Sequence, residues 1–174
     1  MPEAATELKG VPGEWRLFAV ERFASNSAES RVPQVPELPL TGGCLCGGVR
    51  FDVREAPVSA SYCHCTRCQR RTGTGASAQA HIVPGSLSVT CGEELLRAFE
   101  PADGFAKVFC SACGSQLWSR NPQNPAALSV RMGAFDSDSG VRPSVRQFTA
   151  YAAEWEPIPD DGLPRHPERR PPDA

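Results

Sequence analysis

Seven cysteines stand in three tight groups, and their spacing constrains this chain more than any other feature. Cys44 and Cys46 form a C-x-C, Cys63, Cys65 and Cys68 a C-x-C-x-x-C, and Cys110 and Cys113 a C-x-x-C, while Cys91 stands alone. Such groups belong either to a disulfide framework or to a metal site. Disulfides need an oxidising compartment, and export usually needs a signal peptide. The opening residues lack a basic stretch followed by an apolar core, and their longest apolar run is Leu17 to Val20. We therefore expect reduced cysteines in a cytoplasmic protein, serving as thiolate ligands, with no membrane partner.

Zinc takes four ligands at tetrahedral corners, with sulfur about 2.3 Å away. Ligands one or two residues apart reach one ion only where the backbone turns tightly. Gly43, Gly47 and Gly48 flank the first pair and Gly114 follows the last. Joining the outer pairs gives Cys44, Cys46, Cys110 and Cys113, a closed four-thiolate structural zinc. Cys63, Cys65 and Cys68 remain. Three protein ligands with one open corner is the pattern of a catalytic zinc, and an incoming thiol bound there loses its proton. The expectation is two Zn2+ per chain. A closed second site is the competing reading, with His64, His81 or Cys91 as fourth ligand; an iron–sulfur cluster would use the same thiolates.

The chain of 174 residues suggests one domain with loose ends. Alternation at Val49, Phe51 and Val53, then apolar segments at Ala76–Val83, Leu87–Val89, Leu95–Phe99, Phe105–Phe109, Gln116–Ser119, Leu128–Met132 and Arg146–Tyr151, read as short strands. With 15 Gly and 17 Pro as punctuation, they indicate an all-β domain over residues 39–160. Residues 1–38 read as an irregular, partly ordered N-terminal extension. Within it Trp15, Leu17, Phe18, Val20 and Phe23 are spaced as one helix face. Residues 161–174, rich in Pro, Arg and Asp, read as a loose tail. A net charge of -2 gives no global field to attract a nucleic acid, and 7 % aromatic residues offer few rings for base stacking.

The stretches GGCLCGGVRF, SYCHCTRCQRRTGTGASA, VTCGEELLRAFE, KVFCSACGSQLW and EWEPIPDDGLP, in this order, resemble the glutathione-dependent formaldehyde-activating enzyme and centromere protein V family. The resemblance covers about residues 40 to 165. It implies a β-tent zinc fold of small antiparallel sheets. It also implies the same division of ligands, with a structural zinc on the outer pairs and a catalytic-type zinc on the middle trio. It further implies carbon–sulfur lyase chemistry, with glutathione and formaldehyde as founding substrates. Cys91 and the N-terminal extension lie outside the family pattern.

On this reading a small thiol such as glutathione docks its sulfur beside the Cys63, Cys65 and Cys68 site and adds to an aldehyde carbon. Arg67, Arg70 and Arg71 are the nearest cations in sequence. They are candidates for gripping the thiol's carboxylates or stabilising the developing alkoxide; His64 and His81 are candidate proton carriers. Two alternatives use the same cysteines: a non-enzymatic zinc module for protein or nucleic-acid interaction, and a thiol-redox sensor built on the trio.

Overall fold

The computed structural model describes residues 36–171 and two short strands nearer the N-terminus. The chain divides into two compact units, Met1–Val32 and Pro33–Ala174. In the first unit, strand β1 (Ala5–Thr6) pairs antiparallel with β2 (Trp15–Arg16). The helix face expected from Trp15 onward is therefore wrong at its start, where an aromatic with high strand preference joins a ladder. Leu17, Phe18, Val20 and Phe23 lie outside the described residues.

The second unit is built from strands, as the residue pattern demands. β3 (Leu40–Gly43), β4 (Arg50–Val53) and β7 (Leu87–Cys91) form a three-stranded antiparallel sheet in the order β3-β4-β7. The larger sheet uses β5 (Ser59–Cys63), β6 (Ser77–His81), β8 (Leu96–Phe99), β9 (Ala106–Cys110), β10 (Gln116–Asn121), β11 (Asn124–Arg131), β12 (Pro143–Gln147) and β13 (Arg165–His166). Its order is β13-β12-β5-β6-β11-β10-β9-β8. Every pairing is antiparallel except at one edge, where β12 runs parallel to both β5 and β13. Among the described residues one α-helix, α1 (Thr66–Thr72), interrupts the strands. No helix among the described residues is long and apolar enough to cross a membrane.

Alternation then decides what each face does. Phe51 and Val53 of β4 point into a core with Leu40, Ile82, Val108, Leu117 and Val130. Phe51 meets Trp118 edge-on at 5.8 Å and Phe135 at 6.0 Å, the arrangement that aromatic quadrupoles favour. Cys44 and Cys110 belong to the same core cluster. One metal candidate is thus continuous with the hydrophobic interior.

Two expectations fail near the C-terminus. The strand expected over Arg146–Tyr151 stops at Gln147, because Phe148 turns to φ 60 and Thr149–Tyr151 winds into a 3-10 turn. The tail expected to be loose over 161–174 is tied to the sheet through residue 168. The Arg146 amide donates to the Pro164 carbonyl at 2.9 Å, the Phe148 amide to Glu168 at 3.0 Å, and the Ala150 amide to Pro167 at 3.2 Å. Arg146 also pairs with Asp161 at 2.7 Å. Proline suits an edge segment because its missing donor would otherwise face outward, so a proline-rich composition misled the sequence reading.

Candidate metal centres and the adjoining cavity

The four outer cysteines sit on two knuckles, each closed by its own backbone. After β3, the Gly47 amide returns to the Cys44 carbonyl at 3.0 Å, and the Cys44 amide donates to Val49 at 3.1 Å. After β9, the Gly114 amide returns to Cys110 at 2.8 Å, and the Cys110 amide donates to Ser115 at 3.0 Å. Gly47 and Gly114 hold φ 73 and 74, a conformation that a Cβ disfavours. The turns bring the sulfurs of Cys44, Cys46, Cys110 and Cys113 within 4.8 Å of one another. Cys44 Sγ lies 3.4 Å from Cys46 Sγ, which lies 4.0 Å from Cys110 Sγ. Four sulfurs about 2.3 Å from a central ion would stand about 3.8 Å apart, so the group fits a tetrahedral thiolate site. Ser115 knits the knuckles together: its hydroxyl accepts from the Leu45 amide at 2.9 Å and lies 3.3 Å from Cys113 Sγ. That hydroxyl and the Ser115 amide hold the Cys113 thiol down to about 5.

The middle trio is made by a strand end and a helix start. Cys63 ends β5, Cys65 caps α1 with its sulfur 3.4 Å from the Cys68 amide, and Cys68 lies one turn in. Their sulfurs also lie within 4.8 Å of one another. Crowding splits their protonation. Hydrogen bonds from Cys63 and Cys68 push the Cys65 thiol down to about 2, while the same two neighbour contacts, with Cys65 and Cys68, and burial push Cys63 up. Without a cation between them, three thiolates at this distance repel one another; a divalent ion removes the conflict.

None of the proposed fourth ligands joins the trio. His64 is turned away into the protein. Its Nε2 meets Arg146 at 3.2 Å, and burial followed by the Arg146 charge lowers its pKa. His81 is held between Ser61 Oγ and Ser129 Oγ, each at 3.2 Å, and burial lowers its pKa too. Cys91 is exposed at the end of β7 in the other sheet. Among the described residues the cluster contains the three cysteines alone.

The trio opens on a cavity of about 680 Å³. Its floor is one face of the large sheet. Ser59, Ser61 and Cys63 of β5 alternate with Ala60 and Tyr62, and stand opposite His81, Gln79 and Ser77 of β6. Gln79 and His81 in turn stand opposite Arg131 and Ser129 of β11, and Ser129 leads through Ser119 of β10 to Lys107 of β9. The period of two therefore lays polar groups in rows under the cavity and leaves Ala60, Ala80 and Val130 for the core. Arg131 is 6 % exposed and donates to Ser77 Oγ at 2.6 Å, Gln79 Oε1 at 2.7 Å and Ser119 Oγ at 2.5 Å. No carboxylate pairs with it among the described residues.

The three arginines picked from the sequence have different fates. Arg67 lines the cavity, but it is bound to both carboxylate oxygens of Asp103 at 2.7 and 2.8 Å. Arg70 is exposed and lines no part of the cavity. Arg71 is not free for a substrate. Its guanidinium bonds Gln116, Ser119 Oγ, and the Val108 and Trp118 carbonyls, clamping α1 onto β9 and β10. Burial and then the Arg131 charge lower its pKa to about 9. Sequence reasoning missed Lys107 as a cavity residue, although it is a cation inside an otherwise apolar strand, and it missed Arg131, buried beneath the floor. It also missed Arg169 and Arg170, which line the cavity from the tail.

The chain is similar to known proteins. The chain is 32 % identical over 105 residues to a Halomonas elongata protein that carries the name of the glutathione-dependent formaldehyde-activating enzymes; the match spans 57 % of this chain and 67 % of that protein. A solved structure of a Rhodobacter sphaeroides protein is similar at 26 % identity and a TM-score of 0.47, over 56 % of this chain and 89 % of that one. The sequence profile described as glutathione-dependent formaldehyde-activating enzyme matches residues 39–151, the stretch that supplies all seven clustered cysteines, and the chain belongs to that family.

Proposed function

We propose that the protein is a zinc-dependent carbon–sulfur lyase acting on a small-thiol adduct, formed from glutathione and formaldehyde or a related aldehyde. The observation that carries this reading is the trio: three sulfurs within 4.8 Å, no fourth cysteine, histidine or carboxylate in the group among the described residues, and a cavity alongside. Cys63, Cys65 and Cys68 would hold one zinc, and Cys44, Cys46, Cys110 and Cys113 a second, structural one. Zinc at the trio supplies Lewis-acid polarisation and lowers the pKa of a thiol brought beside it.

The chain's own residues do the rest. The cavity walls take the thiol out of bulk water and hold its sulfur near the trio, converting a bimolecular encounter into an oriented one. In the adduct-forming direction the sulfur bonds the aldehyde carbon, and the carbonyl π pair moves onto oxygen, which takes up the proton that the thiol gave. Lyase action is the reverse: the hydroxyl returns its proton, the carbonyl re-forms, and the sulfur leaves with the carbon–sulfur electron pair. Lys107 supplies positive charge at the floor and Arg131 adds a charge buried beneath it, where negative charge develops on oxygen. Arg67 and Asp103 close one side as an ion pair. Eight free cysteines favour a reducing compartment, and we assign the protein to the cytoplasm on that chemistry.

The test is metal quantification with X-ray absorption at the zinc edge. The wild type should bind two zinc ions, falling to about one in Cys65→Ser with the fold kept. Added glutathione should contribute one more sulfur neighbour to the trio zinc, raising the sulfur count averaged over the two ions by about half a neighbour. An unchanged absorption spectrum after thiol addition would sink the enzyme reading.

A further inference from the structure

The segment after residue 151 lies beyond the stretch matched by the family profile, yet it supplies part of the cavity wall. It reaches the wall as a strap fastened on both sides. Glu168 accepts from the Phe148 amide at 3.0 Å and from the Tyr151 hydroxyl at 2.8 Å, which ties it to the end of β12. The next residue, Arg169, stacks its guanidinium over the Phe105 ring at 4.9 Å, just ahead of β9. Phe148, Tyr151 and Phe105 all line the cavity. Two consecutive residues thus bridge its walls, and Arg170 follows along the same lining.

The charge along this wall is one-sided. Lys107, Arg169 and Arg170 face the cavity, and none has a carboxylate partner among the described residues. The cavity's acidic lining residue, Asp103, is taken by Arg67 in a two-oxygen pair. Lys107 is half-buried, its nearest partner a serine hydroxyl at 3.4 Å. Cations gathered around a partly desolvated space without counter-charges favour an anionic guest.

Position adds a length. Arg170 lies in the electrostatic neighbourhood of His81, which stands opposite Ser59, four residues along β5 from Cys63. Four strand residues span about 13 Å. The thiol sits on the central residue of an extended tripeptide about 11 Å long, so each end reaches roughly half that distance from the sulfur, and an arginine side chain leaning in from the wall covers the remainder. A tripeptide-sized thiol with its sulfur at the trio would therefore bring a terminal carboxylate within reach of the strap.

We infer that the C-terminal strap, through Arg169 and Arg170 together with Lys107, forms a carboxylate-binding subsite that restricts the cavity to anionic thiols. The inference rests on the thiol reading above, and it assigns specificity to a part of this chain outside the family stretch. Guanidinium–carboxylate pairs are the stronger kind of hydrogen bond, and their loss lowers affinity by about tenfold or more.

The experiment compares zinc-loaded full-length wild type with the double variant Arg169→Gln/Arg170→Gln by calorimetry. The ligands are glutathione, its diethyl ester, and S-methylglutathione, which keeps both carboxylates but has no free thiol. The wild type should prefer glutathione to the ester by about tenfold or more. The variant should lose that preference and weaken S-methylglutathione by a similar factor. Coordination of uncharged 2-mercaptoethanol, read at the zinc edge, should be the same in both proteins. The subsite is overturned if the ester binds wild type as well as glutathione does, or if the variant binds S-methylglutathione unchanged. If neither glutathione nor 2-mercaptoethanol alters the zinc edge, the thiol reading fails by itself, and the S-methylglutathione comparison still decides whether the strap holds carboxylates.

Discussion

Arg131 carries a buried charge whose nearest opposite charges are thiolates. Its partners are neutral oxygens of Ser77, Gln79 and Ser119, and its Nε has no partner. A trio of thiolates around a divalent ion would keep one net negative charge, which the guanidinium would complement. His81, in the same floor, has the opposite requirement. Burial first, then the charges of Arg170 and Arg131, hold its pKa below 6.5. Above 6.5 the imidazole is neutral in folded and unfolded chains alike. As pH falls from 6.5 through the lowered folded value, the unfolded chain takes up the proton first, and stability is lost in that window. His81→Gln should therefore lose less stability than wild type between about pH 7.5 and about pH 5.5, even if it starts lower. Urea midpoints at the two pH values measure this, and the difference between proteins cancels the acid sensitivity of the thiolates common to both. Equal losses would mean that His81 does not titrate differently in the two states.

At the scale of elements, each knuckle needs one left-handed residue. An added Cβ at Gly114 would meet nothing within 4 Å, so replacing it tests backbone conformation alone. Gly114→Ala should cost about 1–2 kcal/mol, measured by urea unfolding of the zinc-loaded protein, with the four-cysteine site losing zinc faster to a chelator. No change in either quantity would mean that the turn is not under this constraint. The glycines stand beside the cysteines in the sequence, which is why the knuckles are legible there. β4, β6 and β9 were legible too, because alternation of apolar residues survives in each. β3 was not: LTGG carries one large apolar residue and two glycines, a composition that depresses strand preference. Nor was β5, where SASYC alternates serine with alanine and tyrosine rather than polar with strongly apolar. Its small residues are the cavity floor, so the function of the face hid the element. Arg71 was misread for a related reason. Sequence proximity to Cys68 suggested a substrate contact, whereas one helix turn aims it into the carbonyls of β9 and β10.

For the whole molecule, the two cysteine groups occupy different positions in the energetics of folding. Cys44 and Cys110 lie in the same apolar cluster as Phe51, Leu117 and Val130, and their site joins residues far apart in sequence. An ion there would contribute on the scale of roughly 10–16 kcal/mol known for structural zinc, which rivals the whole stability of a domain of this size. The trio instead draws on the end of β5, the start of α1 and the two-residue link between them, so an ion there closes little additional chain. Removing metal should then occur in two stages. A mild chelator should take the trio ion first, ending thiol binding while the near-ultraviolet signal of Trp118, packed against Phe51 at 5.8 Å, stays unchanged. A stronger chelator should take the four-cysteine ion and abolish that signal and the fold together. Metal release and circular dichroism followed on the same titration make the comparison. Simultaneous loss of both ions with the fold would place the trio in the structural role too, and would remove the distinction between a site that holds the chain together and one left free to meet a substrate.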